Sequence, residues 1–298
     1  MRKSLLSLAV LSALAVPSFA SAEEVAAAAP AEAKSAWTAS SNVGFVSNYY
    51  TRGISQSWHK PAVQGGIDFE HTSGFYAGVW GSSVTPNTFP DASVELDAYF
   101  GYNGEISAIE GLGYTVGAIG YFYPGGSWKK YVNTSGVQQK PNGGRWDTYE
   151  ANFGLSYKWI SAKASVTLGD WFGAEKDTGF DGGSSGTTYL ELNAAYPLPW
   201  YDLTLVGHVG HLNVSAKLQD GEQGSGGRSP DYTDYKVGIS KSFSFANSEG
   251  WDAGLYYVGA SDNGYWGKRG FGGPSFNGSK EVKDLADNRW VVSLSRSF

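Results

Sequence analysis

The last eleven residues, Asn288 to Phe298 (NRWVVSLSRSF), alternate with a period of two. One face carries Trp290, Val292, Leu294, Arg296 and Phe298. The other carries Val291, Ser293, Ser295 and Ser297. Successive side chains of a strand point to opposite faces, so the segment reads as a β-strand with one apolar and one small polar side. That is the pattern of a strand with lipid on one face and a wet interior on the other.

The alternation recurs upstream. Over 62–71, Val63, Gly65, Ile67 and Phe69 oppose Gln64, Gly66, Asp68 and Glu70. Over 92–103, Ala92, Val94, Leu96, Ala98, Phe100 and Tyr102 oppose Ser93, Glu95, Asp97, Tyr99, Gly101 and Asn103. Over 188–198, Leu190, Leu192, Ala194, Tyr196 and Leu198 oppose Tyr189, Glu191, Asn193 and Ala195. Over 201–212, Leu203, Leu205, Gly207 and Val209 oppose Asp202, Thr204, Val206 and His208. Read to the end, the chain predicts about twelve strands, near 37–48, 62–71, 75–84, 92–106, 111–123, 148–160, 162–172, 187–198, 201–213, 231–244, 251–262 and 288–298. Most have about the ten residues that a tilted strand needs to cross hydrocarbon.

The connections alternate in length. Short ones fall at 71–74, 106–110, 160–161, 197–201 and 245–250; long ones fall at 49–61, 85–91, 124–147, 173–186, 214–230 and 263–287. The long ones are rich in Gly, Ser, Asn, Asp and Pro, as exposed loops are. Outer-membrane barrels have short periplasmic turns and longer extracellular loops. An even strand count puts every long connection outside and both termini in the periplasm. The expected fold is therefore all-β: a transmembrane, antiparallel, up-and-down barrel over 36–298. A β-sandwich gives no reason for this strict short–long parity.

Arg2 and Lys3 precede an apolar run from Leu5 to Val16, and a small-residue stretch ends at Ala22. This is a secretory signal peptide over 1–22, too short in its apolar part to span a bilayer. Residues 23–35 (EEVAAAAPAEAKS) form an Ala/Pro-rich flexible leader. Removal of Arg2 and Lys3 makes the net charge of −6 two units more negative. An acidic chain of this kind disfavours nucleic acid as a partner.

Composition agrees. The 298 residues include 41 Gly, 11 Trp, 19 Tyr and 15 Phe, but no Cys. Absence of Cys excludes a disulfide framework, a thiolate metal site and a thiol nucleophile. Gly and aromatics at this density resist helix and suit curved strands. Trp37, Tyr49, Tyr50, Trp80, Tyr121, Tyr123, Trp159, Trp171, Phe172, Trp200, Tyr201, Trp251 and Trp290 lie near strand ends, where two interfacial girdles are expected.

A resemblance enters at residues 42–84. Gly44-Phe45-Val46-Ser47, Arg52-Gly53-Ile54-Ser55-Gln56, Pro61-Ala62-Val63-Gln64-Gly65-Gly66 and Ser73-Gly74-Phe75-Tyr76-Ala77-Gly78-Val79-Trp80 are similar to the opening of the TorF porin family, earlier described as a Gcw-type conserved family. Asn48 and Thr51 stand where that family pattern often has an acidic and an aromatic residue. The resemblance implies an outer-membrane barrel and carries no catalytic residues. Phe298 at the end of an alternating last strand also resembles the signal that such barrels present to the assembly machinery.

Twelve strands fall between small filled barrels and sixteen-stranded aqueous channels, so a narrow pore is expected. The alternation turns Asp68, Glu70, Glu95, Asp97, Glu150, Glu191, Asp202, Asp234 and Asp252 inward, against Arg52, Lys158, Lys163 and Lys236, with His208 on the same wall. The pore-lining residues singled out are Arg52, Asp68, Glu70, Glu95, Asp97, Lys158, Lys163, Glu191, His208 and Lys236. An acid-rich wall points to passive diffusion of small hydrophilic solutes with a weak preference for cations. Paired charges that plug the lumen, or a surface ligand-binding or adhesin barrel using loops such as Pro124 to Arg145, are the alternatives. A hydrolase is the least favoured. Its usual base is His, and His208 and His211 face opposite sides of one strand. Gly-x-Ser-x-Gly and His-Glu-x-x-His are absent from the sequence. No cofactor or metal is called for.

Overall fold

The computed structural model describes residues 35–128, 144–219, 230–261, 266 and 283–298. The segment expected to be a signal peptide, nearly all of the expected leader and the Lys129-Lys130-Tyr131 stretch lie outside the described residues. Fourteen strands follow in chain order: β1 Trp37–Val46, β2 Tyr50–Thr51, β3 Ile54–Ser55, β4 Ala62–His71, β5 Phe75–Ser83, β6 Val94–Glu105, β7 Leu112–Phe122, β8 Thr148–Tyr157, β9 Ile160–Thr167, β10 Thr188–Pro197, β11 Leu203–Asn213, β12 Tyr232–Phe245, β13 Ser248–Ala260 and β14 Arg289–Ser297. Twelve of them close an antiparallel barrel in the order β1-β14-β13-β12-β11-β10-β9-β8-β7-β6-β5-β4. β2 and β3 pair only with each other.

Every wall strand follows its sequence neighbour, as expected of an up-and-down barrel. The short connections gather at one end, where β1 begins opposite His71 and β14 ends at Ser297. The long connections gather at the other. β1 pairs with β4 from Trp37–His71 to Val46–Ala62. On its other edge it meets β14 only from Asn42–Ser297 to Val46–Ser293. Reciprocal bonds between Ser41 and Phe298, and one from Ser47 N–H to the Val292 carbonyl, extend that seam.

The barrel is inside-out relative to a water-soluble fold. Val63, Ile67, Phe69, Val79, Leu96, Phe100, Leu190, Leu192, Val292 and Leu294 are exposed on the outer face. Glu95, Asp97, Tyr99, Glu150, Tyr189 and Asp234 are buried on the inner one. Such a wall is stable only if its outer solvent is lipid, because closure satisfies the backbone and the apolar belt needs no water.

Two expectations need correction. Lys158 does not continue the inward row of β8. The strand ends at Tyr157, and Lys158 takes a left-handed φ of 54° in the Lys158-Trp159 turn, exposed, with its amine 5.1 Å above the Tyr157 ring. Asp202 likewise sits exposed in the Trp200–Asp202 turn with φ 52°. The aromatic girdle is also lopsided. Trp37, Trp159, Trp200 and Tyr201 are exposed at the short-turn end. Tyr49, Tyr50, Trp80, Tyr121, Tyr123 and Trp171 are instead buried in the interior at the long-loop end. They face inward because something in the lumen offers them apolar surface.

Candidate functional site

What fills the lumen is the first long connection. The segment after β1 turns inward and forms the β2–β3 hairpin, whose tip is Arg52-Gly53 with φ 47° and 72°. Two successive positive φ values make the tight turn that suits a two-residue hairpin. Tyr49, Ile54, Ser55, Ser57 and Trp58 on this segment are essentially inaccessible. Gly53 is needed at the tip for space as well as for φ. A Cβ there would stand 2.5 Å from Asp234 Cβ and 2.7 Å from the Gly259 carbonyl.

Polar bonds hold the hairpin from both flanks. Asn48 Oδ1 accepts from the Ser55 and Ser57 hydroxyls at 2.7 and 3.0 Å. Asn48 Nδ2 donates to His59 Nδ1 at 2.9 Å, which leaves the proton on His59 Nε2, 2.6 Å from the Asp284 carbonyl. Burial pushes the His59 imidazole below its ordinary pKa, with the Asp284 carbonyl pulling the other way. Ser55 N–H bonds the Leu285 carbonyl and Lys283 Nζ bonds the Trp58 carbonyl, tying the hairpin to the last long connection. Above it, Phe89 stacks on Tyr123 at 4.1 Å, and Trp128 meets Trp146 at 5.4 Å.

The tip reaches the far side of the ring. Arg52 Nη1 and Nη2 donate to Glu150 Oε1 and Oε2 of β8 at 2.8 and 2.7 Å. Its guanidinium carbon lies 4.1 Å from the centre of the Tyr189 ring on β10. The Tyr189 hydroxyl donates to Asp234 at 2.9 Å. His208 Nε2 lies 2.8 Å from Asp234 Oδ1, and His208 Nδ1 lies 2.6 Å from Asn193 Oδ1. Asn193 Nδ2 donates to Glu191, which pairs with Lys163 at 2.7 Å. One connected network therefore runs from Arg52 to Lys163.

The sequence-selected residues divide accordingly. Arg52, Lys163, Glu191 and His208 join this network, with Glu150, Tyr189, Asn193 and Asp234 as members not singled out. Glu95 accepts from Tyr123 at 2.9 Å. Asp97 is buried two residues from Glu95 on the same face of β6. Asp68 accepts a short bond from Tyr99. Lys236 places its amine 5.5 Å from the Tyr256 ring, and Glu70 lies inward near the short-turn end. Lys158 stays outside. Beside Glu150 and Lys163 is a cavity of about 10 Å³, lined also by Tyr76, Tyr99, Tyr121, Asn152 and Ser165. It has room for about one water. Among the described residues no three His, Cys, Asp or Glu side chains are placed to hold a metal ion.

The inward turn of the first connection carries a signal in the sequence. Arg-Gly between Tyr50-Thr51 and Ile54-Ser55 is a two-residue turn between β-favouring pairs. Tyr49, Tyr50, Ile54 and Trp58 are also too apolar for a loop in water.

A family described as a bacterial protein of unknown function (Gcw_chp) matches residues 30–298. No curated protein matches in sequence. Among solved structures, the KdgM porin in complex with disordered oligogalacturonate is 8% identical, with 88% of this chain and 99% of that one covered at a TM-score of 0.44. The NanC porin is 11% identical, over 87% and 99%, at 0.45. An outer membrane channel from Pseudomonas putida F1 is 13% identical, over 92% and 100%, at 0.40.

Proposed function

We propose, for a chain that belongs to the Gcw_chp family, the function of an outer-membrane channel for passive diffusion of small hydrophilic solutes, with a weak preference for cations. The sign of the inner wall carries the reading. Asp68, Glu70, Glu95, Asp97, Glu150, Glu191, Asp234 and Asp252 face inward against Arg52, Lys163 and Lys236, and rings of acid favour cations. The apolar outer belt leaves the lumen as the polar route between two aqueous phases. The TorF resemblance agrees with this reading. In it, the short turns and both barrel termini face the periplasm, and the strand ending at Phe298 is presented to the barrel assembly machinery. His208 is engaged by Asp234, Asn193 and the Tyr189 hydroxyl, which fits a structural member of the interior network.

The buried hairpin favours a second reading, a plugged barrel that binds ligand at its outer face. Planar-bilayer recording on the pure protein separates the two. A small conductance with a reversal potential favouring K⁺ over Cl⁻ is expected. Silence would support the plugged barrel, and a reversal potential favouring Cl⁻ would overturn the cation preference.

A further inference from the structure

Glu150 and Tyr189 form a built receptor for a planar cation. Two parallel bonds to a single carboxylate match the fork of a guanidinium; an ammonium cannot make them. The face of Tyr189 at 4.1 Å adds the attraction of a ring quadrupole for the same charge. Both receptor groups stand on strands of the closed wall. Their occupant, Arg52, stands on a hairpin that pairs only with itself. The wall thus holds the site, and a separable segment fills it.

The fit is incomplete on both sides. Arg52 Nε is buried without a hydrogen-bond partner, because both bonds to Glu150 are made by the Nη atoms. Glu95 Oε2 and Asp97 Oδ1, both buried, likewise lack partners. A solute not tied to the hairpin would meet the same carboxylate and ring with all five of its N–H donors unconstrained.

We propose that Glu150 and Tyr189 form a binding site for guanidinium-bearing solutes in the lumen, and that Arg52 is its tethered occupant. A guanidinium entering the barrel competes with the hairpin tip for one carboxylate. This deepens the channel reading and rests on it for the solute's route.

The test is complementation of the vacated site. Arg52→Ala in the full barrel is titrated calorimetrically with L-arginine and with L-citrulline, which keeps the skeleton but replaces guanidinium by neutral urea. Arginine should bind Arg52→Ala at least tenfold more tightly than citrulline does, and at least tenfold more tightly than arginine binds the wild type. Adding Glu150→Gln should abolish the difference. Equal binding of the two ligands, or binding that survives Glu150→Gln, would overturn the proposal. Heat-modifiable gel mobility reports that the barrel has formed. Should Arg52→Ala fail to form, Arg52→Gln, which fills the tip without the charge, undergoes the same titration, with the same outcomes deciding. Bilayer recording in parallel keeps the two readings apart. Conducting barrels with no arginine preference sink the site alone; silent barrels that bind arginine sink the channel alone.

Discussion

Arg52, at the tip of a hairpin inside the lumen, and Glu150, on wall strand β8, make a two-pronged ion pair at 2.8 and 2.7 Å. Both side chains are more than nine-tenths buried. Desolvation offsets much of the attraction in such a pair, but removing one partner strands the other charge and costs about 3–5 kcal/mol.

Glu150→Gln should therefore release the hairpin while leaving the wall intact. Brief trypsin treatment followed by mass spectrometry should show cleavage after Arg52 in the variant and none in the wild type. A doubly apolar variant, Arg52→Met with Glu150→Leu, lacks that trypsin site and should instead resist chymotrypsin at Tyr50 as well as the wild type does. Equal resistance of Glu150→Gln and wild type would show that the pair does not hold the tip.

Gly53 should tolerate no β-branched side chain. Its φ of 72° is left-handed, and a Cβ would press on Asp234 and the Gly259 carbonyl. Gly53→Val adds about 1–3 kcal/mol of backbone strain to that clash. The same cleavage assay should show an open hairpin, and the far-ultraviolet spectrum of the barrel should be unchanged.

Neutralising the paired acids of β6 should weaken charge selectivity. Glu95→Gln with Asp97→Asn removes two carboxylates from the wall beside the hairpin. The K⁺/Cl⁻ reversal potential in a salt gradient should move towards zero. A potential that does not move would place the ion path away from β6.

Acid should loosen the hairpin through His59. Its pKa is lowered in the docked state, so the released hairpin takes up a proton at a higher pH than the docked one does. Docking contributed by this group is then complete above the ordinary value of about 6.5 and is lost as the pH falls through the depressed one. Protonation also removes the acceptor for Asn48 Nδ2. Trypsin sensitivity at Arg52 should rise between pH 7 and pH 5, and His59→Phe should flatten that rise.

The wall was legible in the sequence because lipid and lumen impose opposite polarity on alternate residues. Val63, Ile67 and Phe69 against Gln64, Asp68 and Glu70 suffice to orient β4. Lys158 and Asp202 escaped that rule, since a turn residue in a left-handed conformation leaves the alternation at once. Tyr49, Trp80 and Tyr123 escaped it differently. An aromatic near a strand end suits an interfacial belt or a stuffed mouth equally well. Only the position of the β2–β3 hairpin, a long-range contact with no local period, decides between them. Arg52 and Glu150 are separated by 98 residues, and nothing local in either segment announces the other.

The seam between β1 and β14 gives the cylinder a preferred line of parting. Its ladder runs only from Asn42 to Val46, while the other edge of β1 is zipped along its whole length to β4. Ser41 and Phe298 fasten its lower end, and Ser47 with Val292 fastens its upper one. It is the one junction of the wall that joins the two ends of the strand order. Phe298, bonded to Ser41 through both backbone groups, is thus the closing stitch of the wall.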